Sequence, residues 1–286
     1  MNAEIRSFLH APTCTYSYLV WCPETQQAAV IDPALEFDPA SGRTGTDTVE
    51  TIAAVIDELG LDLRWVLETH AHADHLSAAP YLKQRFSAQV AIGEGIRQVQ
   101  SNFKTLLNLG SDLATDGSQF ERLLADGDAL PLGACEIRVL ATPGHTDDSV
   151  TYLIGDAAFV GDSIFMPDMG TARCDFPGGD AGRLYDSIQR LFALAPETRL
   201  FMCHDYGPGG RELQNESTVA AEMEGNKHVG SGASREGFIA MRAARDAELD
   251  MPRLLFPSVQ VNIRAGQLPS PEDNGRRYLK LPLDAV

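Results

Sequence analysis

Three histidines and an aspartate fall within six residues of this chain, in Thr69-His70-Ala71-His72-Ala73-Asp74-His75. Imidazole and carboxylate are the ligands that borderline-hard transition metals prefer. The cluster follows the apolar run 63–67, which reads as a buried strand. A chain of this kind must therefore end a strand in a loop that folds around metal. That requirement favours a layered sheet whose loops gather on one rim.

The rest of the chain supplies such loops. Residues 5–9, 15–21 and 28–31 read as strands, with Pro23-Glu24-Thr25 turning the second into the third. Val49, Ile52, Ala53, Ile56 and Leu59 recur at helical spacing, with Asp47 and Glu50 as N-cap and capping-box partner and Gly60 as the stop. Further strands are expected over 136–141, 150–154, 157–160 and 200–203, with a helix over 180–194. His145, Asp162 and His204 come just after strands in this reading. With the cluster, three sites hold five of the seven histidines. His10 and His228 stand alone, and a lone histidine is more often structural than a ligand.

From about Thr218 the character changes. Helices are expected over 218–226 and 235–249, followed by a tail punctuated by Pro252, Pro257, Pro269, Pro271 and Pro282. The expected organisation is a catalytic core over 1–217 and a helical extension and tail, 218–286, packed on it.

Charge narrows the partners. A net charge of -17 repels phosphate backbones and anionic bilayers, so neither nucleic acid nor a membrane is an expected partner. Nothing approaches the ~20-residue apolar run that a spanning helix needs. The five cysteines are odd in number and contain no C-x-x-C pair, which suits reduced thiols. A soluble cytoplasmic protein is expected.

By ligand chemistry alone two ions would fit: His70, His72 and His145 on one, Asp74, His75 and His204 on the other, with Asp162 bridging. That set belongs to a zinc-type hydrolase with a metal-activated hydroxide.

The histidine motif resembles that of the metallo-β-lactamase fold, and Gly144-His145, Gly161-Asp162 and His204 fall in its order over roughly residues 5–210. The resemblance implies an α/β fold, an αββα sandwich of two mixed β-sheets with helices outside and metal on one rim. A carboxylate at Asp162 resembles the glutathione thioesterases of the hydroxyacylglutathione hydrolase type, the lactonases and the persulfide dioxygenases. Arg173-Cys174-Asp175-Phe176 is similar to the Arg-Thr-Asp-Phe segment of persulfide dioxygenases, with Cys174 in place of threonine. His204-Asp205-Tyr206 is similar to their His-Asp-Tyr. The tail from Leu255 to Arg264 resembles that of longer bacterial members.

The persulfide dioxygenase resemblance implies a different use of the same ligands. One Fe(II) would be held by His70, His145 and Asp162, a two-histidine, one-carboxylate face with open positions for oxygen chemistry. His72, Asp74, His75 and His204 would surround it, orienting ligands and waters. Glutathione persulfide and O2 would be the substrates, and sulfite and glutathione the products. Arg173 and Tyr206 would contact the glutathione part; their bland alternatives are an ion pair with Asp175 and a core tyrosine. The alternative function is a binuclear glutathione thioesterase with two zinc ions or a mixed pair. A homodimer is implied by resemblance only. Cys174 reads as a small buried filler, and Asn262 and Arg264 as ties between tail and core.

Overall fold

The computed structural model describes residues 2–284. In chain order its first half runs β1 (Glu4–His10), β2 (Thr15–Trp21), β3 (Gln27–Ile31), β4 (Ala34–Asp38), β5 (Arg43–Gly45), α1 (Asp47–Leu59), β6 (Asp62–Leu67), β7 (Leu76–Ser77), α2 (Ala79–Phe86), β8 (Gln89–Gly93) and α3 (Ile96–Leu106). The second half runs β9 (Arg122–Leu124), β10 (Ala129–Leu132), β11 (Cys135–Ala141), β12 (Val150–Ile154), β13 (Ala157–Phe159), α4 (Ala181–Phe192), β14 (Arg199–Phe201), β15 (Glu216–Thr218), α5 (Val219–Gly225), α6 (Arg235–Asp246) and α7 (Leu255–Asn262).

Two six-stranded sheets result, in the orders β1-β2-β3-β6-β8-β9 and β10-β11-β12-β13-β14-β15. Both are mixed. The first is antiparallel through β3 and parallel from β3 to β9; the second is antiparallel except where β13 and β14 run parallel.

Strand alternation divides the core into layers. On β2 and β3, Tyr18, Val20, Ala29 and Ile31 meet Ile137, Val139, Tyr152, Phe159 and Phe201 of the other sheet. Their neighbours Leu19 and Val30 face the opposite way, onto Ile52 and Ile56 of α1, Leu82 of α2 and Val99 and Phe103 of α3. On the far side of the second sheet, Ala158 and Leu200 pack with Leu184 and Ile188 of α4, Val219 of α5 and Phe238 of α6. Helix, sheet, sheet and helix are stacked, as the αββα expectation required.

Residues 218–284 share these cores. Val219 and Phe238 belong to the α4 layer, and Leu255, Val259 and Ile263 belong to the α1 layer. The Pro-punctuated tail was expected without a helix, yet it contains α7. Pro257 sits in its first turn, where a missing N–H costs no intrahelical bond. The α1 cap also differs from expectation. Thr46 precedes the helix and donates its hydroxyl to Glu50 Oε1 at 2.6 Å, so neither Asp47 nor Thr46 caps by side chain. Glu36 Oε1, from β4, accepts the Thr48 N–H at 2.8 Å instead. Among the described residues, no helix is long and apolar enough to cross a membrane.

Candidate metal centre

β11, β13 and β14 run the same way in the second sheet, so the loops that follow them leave from one rim. His145, Asp162 and His204 lie on those loops, and the loop after β6 brings residues 70–75 to the same rim. An isolated bridge between Thr15 and His204 closes the sandwich there.

Fixed hydrogen bonds shape the loop after β6. Asp32, at the end of β3, accepts Thr69 N at 2.7 Å and Thr69 Oγ1 at 2.9 Å. Asp148 accepts Ala71 N at 2.8 Å. Asn262, at the end of α7, donates Nδ2 to the carbonyls of His72 and His75, each at 2.8 Å, and accepts Ser77 N at 2.8 Å. Gly161 adopts a φ of 52°, and a Cβ there would press on the Thr69 side chain. Gly144 has a φ of 140°, and a Cβ there would collide with the Leu184 backbone. Glycine at these two positions lets the Asp162 and His145 loops approach closely.

Each histidine of the centre is anchored through one ring nitrogen and offers the other. His145 Nδ1 donates to the Arg173 carbonyl at 2.7 Å, and His75 Nδ1 to the Leu76 carbonyl at 3.1 Å. His70 Nδ1 lies 3.0 Å from Thr69 Oγ1, and His204 Nδ1 lies 3.3 Å from Thr15 Oγ1. His72 is reversed: its Nε2 lies 2.9 Å from Asp32 Oδ1 and 3.6 Å from Glu68 Oε2. The opposite atoms (His70 Nε2, His72 Nδ1, His75 Nε2, His204 Nε2) and Asp162 Oδ1 are buried with no hydrogen-bond partner among the described residues. An orphaned buried polar atom costs about 1–3 kcal/mol. Five of them converging, backed by hydrogen bonds on the other ring nitrogens, is the arrangement of metal ligands. The residues present therefore fit a metal.

The ligand atoms of His70, His145 and Asp162 lie within 4.8 Å of one another, as do those of His72, Asp74 and His75. Asp162 Oδ2 is 3.9 Å from His70 Nε2 and 3.7 Å from His145 Nε2, while its Oδ1 is 3.5 Å from His204 Nε2. His204 Nε2 is also 3.4 Å from Asp74 Oδ2. All seven expected ligands are thus brought together, with Asp162 between two groups.

Electrostatics sort the histidines by partner. Burial and the neighbouring rings hold His70 well below the ordinary imidazole value, which keeps it a neutral ligand. Burial brings His75 down to about 3. At His72 burial works the same way, but the charge and hydrogen bond of Asp32 outweigh it and lift the group well above its ordinary value.

A cavity of about 360 Å³ opens on the centre. Asp74, His145, Asp162 and His204 form its floor, and Phe165, Met169, Phe176 and Leu249 supply apolar walls. Arg173 lines it, but its guanidinium is engaged: two nitrogens bind Asp175, each at 2.6 Å, and Nη1 donates to the Asp250 carbonyl at 2.7 Å. The ion pair with Asp175 is therefore present, and the Arg173 carbonyl aims His145. Tyr206 is not a core tyrosine. It is 53% exposed at the cavity mouth, with its ring stacked on His204. Cys174 is buried, and desolvation pushes its thiol up to about 12, which suits a filler.

Asp32, Glu68, Asp148, Asn262 and Thr15 belong to the centre and were not singled out for it from sequence. One signal existed for Asp32: Val30-Ile31-Asp32 ends an apolar strand in a carboxylate, the pattern that exposed Asp162.

Residues 12–204 match the sequence pattern of the metallo-beta-lactamase superfamily. A probable metallo-hydrolase of Burkholderia pseudomallei is 54% identical, over 99% of each chain. Glyoxylase B2 of Dictyostelium discoideum is 44% identical, over 99% of this chain and 98% of its own. The mitochondrial persulfide dioxygenase ETHE1 of Homo sapiens is 30% identical, over 92% of this chain and 88% of its own. Among solved structures, ETHE1 from Myxococcus xanthus superposes with a TM-score of 0.73 at 33% identity, over 92% of this chain and all of that one.

Proposed function

This chain belongs to the metallo-beta-lactamase superfamily, and we propose that it is an iron-dependent persulfide dioxygenase acting on glutathione persulfide. The observation that carries this reading is the grouping of His70, His145 and Asp162, two imidazoles and one carboxylate, beside an open cavity that His145 and Asp162 line. The likeness to ETHE1 over 92% of the chain supports it.

The balanced reaction takes one persulfide, one O2 and one water to one thiol, one sulfite and two protons. Iron held by these three residues would bring the persulfide sulfur and O2 together and mediate the passage of the four electrons that O2 takes from the terminal sulfur. The chain's own residues do the rest. His145, fixed by the Arg173 carbonyl, and His70, fixed by Thr69, hold one orientation without reorganising. Phe165, Met169 and Phe176 exclude water around the sulfur. Tyr206, which lines the cavity and stacks on His204, would contact the polar part of the carrier thiol, while Arg173, held by Asp175, forms part of the same wall.

A second reading has its own observation. His72 Nδ1, His75 Nε2 and His204 Nε2 are also orphaned, enough nitrogen for a second ion and hydrolysis of an acylglutathione thioester. The similarity to a metallo-hydrolase and to glyoxylase B2 favours it. Metal analysis of freshly purified protein separates the two. One iron per chain with sulfite released from glutathione persulfide supports the dioxygenase. Two metals per chain with thiol release from S-lactoylglutathione without oxygen overturns it.

A further inference from the structure

Three arginines, Arg173, Arg242 and Arg245, line the cavity that opens on the metal centre, together with His228. Two of them are engaged. Arg173 is held by Asp175, and Arg242, buried in α6, binds Asp246 Oδ1 at 2.7 Å and the Thr171 carbonyl at 3.2 Å. Arg245, three residues further along α6, is exposed and makes no ion pair or side-chain hydrogen bond among the described residues. Asp250, the acid in the same wall, is not paired with it. In a chain of net charge -17 this is an exception, since Arg183, Arg190, Arg199, Arg211 and Arg235 each bind an acid.

His228 is a fixed donor beside it. The Thr171 N–H donates to His228 Nδ1 at 2.9 Å, so that nitrogen is an acceptor. Burial, with the charges of Arg242, Arg245 and Lys227, brings the ring down to about 4, which leaves it neutral at neutral pH. Its one proton is then on Nε2. Asn226 holds the residue in place: its Oδ1 accepts His228 N at 3.0 Å, and its Nδ2 donates to the Gly170 carbonyl at 3.1 Å. The lone histidine is thus structural through Nδ1 and keeps an N–H to offer through Nε2.

Resting on the reading of the substrate as a glutathione derivative, which both activities above share, we propose that Arg245 and His228 form a carboxylate-binding subsite of this cavity. It takes an acid group of the carrier thiol and selects against carriers that lack one. A glutathione derivative reacts through a sulfur that lies several bonds from either of its two carboxylates. With the sulfur at the metal centre, a carboxylate is held by the wall and not by the floor, where Asp74 and Asp162 repel it. The free guanidinium of Arg245 supplies charge and a fork of donors, and His228 supplies one neutral N–H. Arg173, the arginine expected from sequence to bind glutathione, has its guanidinium occupied and cannot do this without breaking its pair with Asp175.

The test measures binding of S-methylglutathione to the iron-loaded protein by calorimetry. This ligand has neither a persulfide sulfur nor a thioester, so it binds without turning over. Arg245→Gln is expected to weaken it at least about tenfold, Arg245→Lys less, and His228→Ala more than His228→Gln, which keeps a donor. Two further ligands carry an amide in place of the glycyl or the γ-glutamyl carboxylate. One of the two amides is expected to bind wild type about tenfold more weakly than the parent, and to bind Arg245→Gln no more weakly than the parent does. Equal affinity of S-methylglutathione for wild type and Arg245→Gln overturns the subsite, as does an amide penalty that is the same in both proteins. A His228→Ala affinity equal to wild type overturns the two-residue arrangement. No binding to wild type overturns the glutathione reading and the subsite with it, whereas the other contrary results overturn the subsite alone.

Discussion

His72 turns its Nε2 to Asp32 Oδ1, 2.9 Å away, and thereby presents Nδ1 to the metal centre. The same carboxylate holds Thr69 by backbone and hydroxyl, so one residue sets both the loop entry and a ligand's tautomer. Asp32→Asn keeps the shape but loses the charge. It is expected to weaken metal binding about 10- to 100-fold, read by competition with a chelator.

Asn262 ties α7 to the metal loop by three hydrogen bonds, each 2.8 Å long, to His72, His75 and Ser77. Asn262→Ala leaves two buried carbonyls and an N–H unpaired. A stability loss of about 2–4 kcal/mol is expected in urea unfolding. Faster metal loss to a chelator should accompany it, at temperatures where the variant is fully folded.

The ligand set was legible because each ligand follows an apolar strand, and strand ends can be read locally. Its supports were not, except that Asn262 reads as a tie between tail and core, with its partners on the metal loop left without a local signal. Asp32 is 40 residues from His72 in the chain, and Asn262 is 190. No local period links such pairs. The helix at Leu255–Asn262 was hidden by Pro257, which reads as a breaker until it is seen in a first turn. The α1 cap was misread because Glu36 of another element serves the orphan N–H. Arg173 shows the opposite case: the ion pair with Asp175 was foreseen as the alternative and is present, while its carbonyl bond to His145 has no sequence signature.

Glu222 is buried and its carboxyl is pushed up from 4.5 to about 7, chiefly by desolvation and against the hydrogen bond from Asn226. The folded state then holds a proton that the unfolded chain releases at lower pH. Stability from this group is present below about pH 4.5 and falls as pH rises towards about 7. Glu222→Gln, which stays neutral, is expected to gain in melting temperature over wild type across that window. The difference should then level off. A difference that is flat from pH 4.5 to 7 contradicts the assignment.

The two metal readings make opposite demands on the second group of ligands. With one iron on His70, His145 and Asp162, His75→Ala keeps one iron per chain and a reduced activity, whereas His70→Ala loses both. With two ions, His75→Ala halves the metal content. Elemental analysis of the two variants beside wild type distinguishes these outcomes.

The most direct measurement follows dissolved oxygen and sulfite together while the iron-loaded protein turns over glutathione persulfide. One O2 consumed for each sulfite formed, with no turnover in His145→Ala, is the expected result. Thiol release that continues unchanged without oxygen, with no sulfite formed, would contradict it.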